Sequence, residues 1–394
     1  MSTIFQAVII GAGQAGLAAA HELTRRGLLP GKDFVILDSN DGPGGAWRHR
    51  WDSLTLGKAH GIADLPGLPM KRPDPTTPAS QLVTDYYGAY EEKFQLSVIR
   101  PVKVEKVESL EAEHGADLAA GTSADSSPLK ITSADGRQWI TKLVLNATGT
   151  WTSPYIPYIP GIDTFRGPQL HTVNFEKAAD FQDKKVLVVG GGLSAVQFLL
   201  ELDGIADTTW ATHRPPNFTQ RQFDAGWGIA VERAVRERTF SGEAPASVVR
   251  TTGIPHWPEY LAGVERGVLV SHGMFDRITP TGVIFGETHT NKAHGLGPSA
   301  SSELAVPESW QPYPAGTELD VDVIFWNTGF RAALRHLAPL RLRGKGRGIE
   351  MLDEVTPASD ARVLLVGYGS TASTVGATRA GRVAGRVAVK KLGL

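Results

Sequence analysis

The 394-residue sequence contains no cysteine. This absence excludes disulfide bonds, thiolate metal sites and cysteine nucleophiles, and also any disulfide reduction that requires a redox-active cysteine pair in the chain. We expect no metal site. Neither sign of charge is in excess, because the 40 basic and 41 acidic residues give a formal net charge of -1. The composition therefore gives no reason to expect binding to nucleic acid or to an anionic membrane surface.

A long apolar run is the third absence, since no stretch approaches the ~20 apolar residues of a membrane-spanning helix. The apolar residues from Val8 to Ala20 carry a glycine turn and follow no basic region, so we interpret them as strand and helix rather than as a signal peptide. We expect a soluble, cytoplasmic protein, monomeric or homodimeric, that is long enough for two or three domains.

Glycine, in contrast, is abundant, and two glycine-rich turns follow apolar strand patterns at residues 7–10 and 186–189. The first glycine of such a turn permits a sharp reversal, the second lets the backbone approach a pyrophosphate, and the third small residue lets helix pack on strand. The helix N-terminus that follows favours the phosphate charge. Two bound dinucleotides indicate electron transfer between them, and the candidate phosphate-site residues are Gly11, Gly13, Gly16, Gly190, Gly192 and Ser194.

The residues after the second strand of each unit differ in charge. Asp38 follows the strand pattern 34–37, where a carboxylate hydrogen-bonds the ribose, although a turn or capping residue is the alternative. His213 and Arg214 follow the strand pattern 208–212. Arginine at this place pairs a 2′-phosphate, which predicts NADP rather than NAD, with a plain surface arginine as the alternative.

The order of patterns predicts an α/β fold with two Rossmann-like dinucleotide-binding domains, the second inserted into a discontinuous first. We place the first domain at residues 1–157 and 320–394 and the second at 158–319, because a proline-rich stretch at 154–160 marks a boundary. Other expected elements are helices at 14–26, 81–94, 195–202 and 372–392, and strands at 98–109, 129–140 and 363–366, with a polar hairpin loop at 111–127. The stretches 142–150 and 321–330 are each expected to be a buried strand that runs into a glycine turn.

The second domain also carries several aromatic residues outside clear periodic patterns. They are candidates for the lining of a substrate entrance, although most aromatic side chains fill cores. These residues are Phe218, Phe223, Trp227, Trp257 and Tyr260.

From about residue 5 to 385 the sequence resembles the flavin-containing monooxygenases. Residues 165–175 fit the family signature F-x-G-x-x-x-H-x-x-x-[FY], and Phe175 stands where the related Baeyer–Villiger enzymes have Trp, which favours heteroatom oxygenation. Residues 44–48 look like the G-G-x-W segment, and 327–330 stand in for the A-T-G-[FY] motif.

The resemblance implies that FAD binds the first glycine turn with Asp38, and that NADPH binds the second with Arg214. It implies that NADPH reduces FAD, that O2 adds at the flavin C4a atom, and that the resulting hydroperoxide transfers one oxygen atom to a small organic substrate while water leaves. The further cofactor-site residues implied are Ser39, Gly45, Trp47, Thr148, Gly149, His213, Gly329, Gly367, Ser370 and Thr371. Amides near the last helix would stabilise reduced flavin.

Three residues are candidates for a role near the reaction. His171 of the signature would join the domains and orient the nicotinamide-side loop, or else is a core or linker histidine. Gly57 stands where many family members have an asparagine facing the flavin, and glycine cannot supply that amide. Tyr368 follows Gly367 where disulfide reductases have aspartate. Two alternatives stay open: an NADPH-dependent flavin oxidoreductase or oxidase without productive oxygen transfer, and a non-catalytic redox-sensing flavoprotein.

Overall fold

The computed structural model divides into two compact units. It describes residues 3–59, 61–110, 127–220, 233, 235–245, 253–288, 304–344 and 348–394. The first unit comprises Met1–Thr152, Val235–Pro245 and Ala332–Leu394, and the second comprises Ser153–Ala234 and Ala246–Arg331. Within the described ranges, no helix is both long and apolar enough to cross a membrane.

Strands and helices alternate along much of the chain. The strands are β1 (Ile4–Ile10), β2 (Phe34–Leu37), β3 (Val98–Ile99), β4 (Val104–Ser109), β5 (Leu129–Ser133), β6 (Gln138–Asn146), β7 (Gln169–His171), β8 (Lys185–Val189), β9 (Asp207–Ala211), β10 (Phe218–Thr219), β11 (Ile254–Pro255), β12 (Phe275–Ile278), β13 (Gly282–Phe285), β14 (Glu318–Asp320), β15 (Val323–Trp326) and β16 (Val363–Leu365). The helices are α1 (Gln14–Arg25), α2 (Ala79–Lys93), α3 (Leu193–Leu202), α4 (Pro258–Glu265) and α5 (Thr374–Leu392).

The first unit is built on one sheet with the order β3-β2-β1-β6-β5-β4, and β16 pairs with β6. The pairs β1–β2, β1–β6, β2–β3 and β6–β16 are parallel, whereas β4, β5 and β6 pair antiparallel. Helix α5 approaches α1 closely, because a Cβ atom added at Gly381 would lie 2.6 Å from the Ala15 carbonyl oxygen. The last helix of the chain therefore packs beside the helix that follows the first glycine turn.

The second unit contains a parallel sheet in the order β7-β15-β8-β9 and an antiparallel sheet of β12, β13 and β14. Phenylalanine rings fill its core, with Phe175 lying 4.4 Å from Phe198 and 6.0 Å from Phe325 between ring centroids. The last residue of the family signature, Phe175, is thus buried against α3 and β15. Each unit has the parallel sheet and glycine turn expected of an α/β dinucleotide-binding fold.

Two predicted strands are wrong in their extent. Residues 98–109 form β3 and β4, because Pro101 has no N–H group to continue a ladder and the two strands have different partners. Residues 129–140 form β5 and the start of β6, which ends at Asn146 within the stretch predicted at 142–150. Gly136 makes the turn between them at a φ of +83°. The loop predicted at 111–127 lies, except for residue 127, outside the described residues.

The compact units also differ from the domain limits expected from the sequence. The stretch at 321–330 has a sequence pattern like that of 142–150 in the first unit, but its strand β15 pairs with β7 and β8 and belongs to the second unit. The return to the first unit therefore comes at Ala332 rather than at residue 320. A short segment, Val235–Pro245, belongs to the first unit although it lies inside the expected insertion.

Candidate cofactor sites

The first glycine turn leads from β1 to α1. Gly11 has a φ of +102°, and a Cβ atom there would lie 2.5 Å from the Ala147 carbonyl oxygen. A Cβ atom at Gly16 would lie 1.9 Å from the Gly11 carbonyl oxygen. Both positions therefore need glycine for the fold of the turn itself.

Gly13 differs from its two neighbours in the motif. It is the N-cap of α1 with an extended backbone (φ -88°, ψ -167°), and an added Cβ atom would meet no heavy atom nearer than the Gly45 Cα atom at 3.9 Å. No side chain caps α1 and its first turn carries no acidic residue, which leaves the backbone N–H groups of that turn to an anion. This is a cradle that fits a pyrophosphate and that a side chain would fill.

The G-G-x-W segment lies against this turn. Gly45 has a φ of +55°, and a Cβ atom there would lie 2.8 Å from the Gly13 Cα atom. The half-buried Trp47 then begins a 3-10 turn, Trp47–His49. Two segments that are about thirty residues apart in the sequence thus meet backbone to backbone at the candidate phosphate site.

Asp38 is fixed at the end of β2. Its side chain accepts a hydrogen bond from Arg100 Nε at 2.9 Å, and Arg100 also pairs with both Glu91 carboxylate oxygens at 2.6 and 2.7 Å. Its own N–H donates to the Ile99 carbonyl oxygen. Asp38 is 4% exposed and caps none of the described helices, whereas the next residue, Ser39, is exposed. The position and rigidity of this carboxylate suit a ribose contact.

A buried polar chain supports the end of β6. Asn146 donates through Nδ2 to Thr148 Oγ1 (3.1 Å), which in turn donates to the Ala333 carbonyl oxygen (2.8 Å). His336 Nε2 lies 2.6 Å from Asn146 Oδ1, and burial lowers the pKa of His336 to about 4. The imidazole is therefore neutral near pH 7 and donates to the amide oxygen. No sequence motif marks His336, and its partner is 190 residues away.

The loop after β16 contains four of the predicted site residues, and their environments differ: Gly367, Tyr368, Ser370 and Thr371. Thr371 Oγ1 donates to the Tyr368 carbonyl oxygen at 2.9 Å, within a 3-10 turn Gly369–Thr371 that includes Ser370. Helix α5 begins only at Thr374, and its N-cap is Ser373. The start predicted at 372 is thus two residues early, and Ser370 and Thr371 precede the helix in a separate turn.

Tyr368 lies in the hydrophobic core. Its ring packs in the cluster that includes Leu342 and Met351, and its hydroxyl oxygen accepts the Ile349 N–H at 3.2 Å. Burial raises the pKa of Tyr368. This environment favours a supporting role for the side chain, while Gly367 beside it has a φ of +83° that glycine permits.

Gly57 lies in an exposed turn of the first unit. Its N–H donates to the Pro75 carbonyl oxygen at 2.8 Å, and an added Cβ atom would lie 3.2 Å from that oxygen. Gly57 is not among the positive-φ glycines. A side chain at this position needs only a small local adjustment.

The second glycine turn leads from β8 to α3 with the same geometry. Gly190 has a φ of +132°, and a Cβ atom there would lie 2.2 Å from the Asn327 carbonyl oxygen. Gly192 is the extended N-cap of α3 (φ -97°, ψ 168°), and Ala195 provides the buried third small residue. Helix α3 has no acidic residue in its first turn, and Ser194 is half-buried there. The geometry of this turn fits a pyrophosphate as that of the first turn does.

Beyond β9 the chain presents a cation. Thr212 is buried, and its Oγ1 donates to the Arg214 carbonyl oxygen at 2.6 Å, which fixes the backbone of the following residues. The side chains of His213 and Arg214 are exposed. Within the described part of the chain, no carboxylate forms an ion pair with Arg214.

His171 ends β7 in register with Trp326 of β15. It is 3% exposed, its Nε2 lies 3.1 Å from the Gly329 carbonyl oxygen, and its ring meets Phe330 edge-on at 5.0 Å. Burial lowers the pKa of His171, so the neutral ring donates to Gly329. These partners all belong to the second unit, and the contact fastens the loop after β15.

Of the predicted aromatic residues, Phe218 and Tyr260 are buried and Trp257 is 37% exposed. Phe223 and Trp227 lie outside the described residues. Only Trp257, among the three that the structure describes, offers an exposed ring.

Comparison with known proteins identifies the class. Residues 8–225 match the family model described as pyridine nucleotide-disulphide oxidoreductase. A flavin-containing monooxygenase from Stenotrophomonas maltophilia has 31% sequence identity and a TM-score of 0.72, with 99% of each chain covered. A probable indole-3-pyruvate monooxygenase of the YUCCA group from Arabidopsis thaliana is 34% identical over 196 residues, which are 50% of this chain and 43% of that relative. The chain thus spans less than half the length of this curated relative.

A structural neighbour at lower identity shares the fold. The bacillithiol disulfide reductase from Bacillus cereus has 18% identity and a TM-score of 0.64 over 98% of this chain. The chain belongs to the pyridine nucleotide-disulphide oxidoreductase family, and the expected α/β fold with two dinucleotide-binding domains is confirmed. Its resemblance to the flavin-containing monooxygenases is also confirmed, and the protein is a flavin-dependent oxidoreductase. With no cysteine it has no thiol pair for disulfide reduction.

Proposed function

We propose that this protein is an FAD- and NADPH-dependent monooxygenase that inserts one oxygen atom of O2 into a small organic substrate. The observation that carries the proposal is the pair of glycine turns with open helix N-termini, one beside the buried Asp38 and the other beside the exposed Arg214. An acid directly after β2 and an arginine three residues after the end of β9 select different dinucleotides.

The residues present fit both cofactors. In the first unit, Gly13 leaves room for the FAD pyrophosphate and Asp38 is placed for the adenosine ribose. In the second, Gly192 caps α3 at the NADPH pyrophosphate and the Arg214 guanidinium is free of ion pairs with described carboxylates, as a 2′-phosphate contact requires. When bound, the flavin supplies the redox chemistry that connects NADPH oxidation to the activation of O2.

The chain's own residues bind and orient rather than attack the substrate. His171 holds the Gly329 loop by a hydrogen bond from a neutral imidazole, and Thr148 holds the loop after β6. The net reaction consumes NADPH, a proton, O2 and substrate, and gives NADP+, water and the oxygenated product. The proposed substrates are apolar compounds that carry nitrogen, sulfur or a carbonyl group.

Gly57 favours a second candidate, a flavin oxidoreductase or oxidase that returns the electrons to O2 as hydrogen peroxide. Where many family members place an asparagine, this chain offers no side-chain donor. A hydrogen-bond donor aimed at developing charge stabilises it, and its absence favours loss of peroxide.

The test begins with the purified protein. The released cofactor should be FAD, and anaerobic NADPH should bleach the flavin spectrum faster than NADH does. Addition of ¹⁸O2 with a sulfide or amine substrate should then place one labelled atom in the product. NADPH oxidation that yields only peroxide with every substrate class would select the oxidase, and a flavin that NADPH cannot reduce would select the redox-sensing alternative.

A further inference from the structure

Arg50 lies in a cage of tryptophan rings in the first unit. Its guanidinium carbon is 3.9 Å from the ring centroid of Trp151 and 5.9 Å from those of Trp47 and Trp51. Burial lowers the pKa of Arg50 to about 10, so the group stays charged at neutral pH. Cations stack favourably on such rings, and the cage therefore holds the guanidinium in one orientation.

The charge of Arg50 has no protein counter-ion among the described residues. Its Nε atom is buried without a hydrogen-bond acceptor, and burial is the sole cause of its pKa shift, with no nearby carboxylate contributing. By contrast, Arg137, which lies over Trp139, is paired with Asp135. A cation that is held in place but not neutralised is the arrangement of an anion-binding group.

The cage lies at the carboxyl edge of the first sheet. Trp151 follows the end of β6, and Trp47 follows the glycines that touch the first turn. In the strand order β2-β1-β6, β6 lies on the opposite side of β1 from β2, which carries Asp38. If Asp38 takes the adenosine ribose, Arg50 lies toward the other half of the dinucleotide, where a substrate meets the reactive ring.

We propose that Arg50 binds the carboxylate of a small apolar or aromatic carboxylic acid that is the substrate. A guanidinium presents parallel N–H donors that match a carboxylate, and the tryptophan rings offer an apolar wall for the rest of the molecule. The assignment rests on the proposed function, because the ligand is placed on the flavin side of the site. It restricts the substrate class to organic anions.

The experiment is calorimetric titration of the purified, flavin-loaded protein with phenylacetate and with its neutral counterpart 2-phenylacetamide. Wild type should bind phenylacetate at least about tenfold more tightly than the amide. Arg50→Gln should remove that preference, and Arg50→Lys should restore part of it because it keeps the charge. Arg137→Gln removes one charge from a tryptophan-stacked arginine elsewhere in the same unit and should leave both affinities unchanged.

Equal affinity of wild type for the two probes, or no measurable phenylacetate binding, overturns the assignment. So does an Arg50→Gln protein that loses flavin but keeps its phenylacetate preference, because the partner of Arg50 is then a cofactor phosphate. If Arg50→Gln does not fold, the affinities of wild type and Arg50→Lys for phenylacetate and 2-phenylacetamide still test the assignment. Failure of the proposed function is seen separately, as wild-type flavin that NADPH does not reduce.

Discussion

The two glycine turns are alike in backbone and different in surroundings. Each has a first glycine at positive φ close to the carbonyl oxygen of the residue that follows a neighbouring parallel strand, Ala147 after β6 and Asn327 after β15. Beside the first turn stands Asp38, buried and paired with Arg100. Beside the second stands the exposed Arg214.

Under the proposed function, this difference bears on how each cofactor would be held. A recognition group that packing and ion pairs already fix loses little conformational entropy when its ligand arrives, whereas an exposed arginine must be ordered at that moment. We therefore interpret the first unit as the place of a resident cofactor and the second as the place of one that exchanges in every cycle.

The largest expected effect separates the two cradles. Gly13→Val has an allowed extended backbone and no close neighbour, so the variant should fold but block the pyrophosphate and purify without colour. Gly192→Val should stay yellow and lose reduction by NADPH. The visible absorption spectrum and anaerobic reduction measure both. Gly344→Val, with open space around an exposed glycine, is the control, and a yellow Gly13→Val protein would remove FAD from the first turn.

The side-chain hydrogen bonds at the ends of β6 and β15 should respond differently to acid. Asn146 is held by His336, whereas Asn327 accepts a hydrogen bond from the hydroxyl of Thr172, which does not titrate in this range. The folded-state pKa of His336 is lowered from 6.5 to about 4. The unfolded chain then binds more protons between these values, so this contribution to stability is complete above pH 6.5 and is lost as pH falls toward 4.

His336→Gln keeps a donor for Asn146 but cannot titrate. The wild type should lose up to about 3 kcal/mol more than this variant between pH 7 and pH 4. Urea unfolding followed by flavin release measures the difference in the first unit. His272→Gln in the second unit is the control, and an identical pH slope for wild type and His336→Gln would contradict the assignment.

A substitution of Arg214 tests whether the second glycine turn binds NADPH. Arg214→Ala removes a charge-assisted contact worth roughly 1.5–3 kcal/mol and should raise the KM for NADPH about ten- to a hundredfold. The KM for NADH should change little. Arg277→Ala, which removes another exposed charge from the same unit, should affect neither. Equal losses with NADPH and NADH in Arg214→Ala would make this arginine structural.

The smallest effect is expected at Gly57. Gly57→Asn introduces a side-chain amide at a small cost in packing against Pro75, and Gly57→Ala makes the same adjustment without the amide. One added hydrogen bond of about 1 kcal/mol should lower the peroxide released per NADPH about fivefold in the Asn variant alone. Wild-type turnover that already yields one product per NADPH would show that other groups supply this stabilisation.

Local patterns in the sequence predicted the local structure well. Glycine spacing placed both turns, and apolar runs located β2, β8 and α1 within one residue of their observed ends. The strand at 98–109 was wrong because its halves pair with different partners, which sequence alternation does not encode. Site contacts met the same limit, because Tyr368 contacts Ile349, His336 contacts Asn146 and Arg50 contacts Trp151, each from a distant part of the sequence. No short-range spacing announces such contacts.

The segment Val235–Pro245 makes the protein difficult to divide. Because of this segment, the whole chain passes from one unit to the other four times, whereas a simple insertion needs only two passages. A Cβ atom at Gly369 would lie 2.7 Å from Thr239, and one at Gly348 would lie 2.3 Å from the Glu243 carbonyl oxygen. Excision of residues 153–331 would therefore leave a hole beside the loop before α5. Recombination with a relative should exchange this segment with the first unit, although it is encoded within the second.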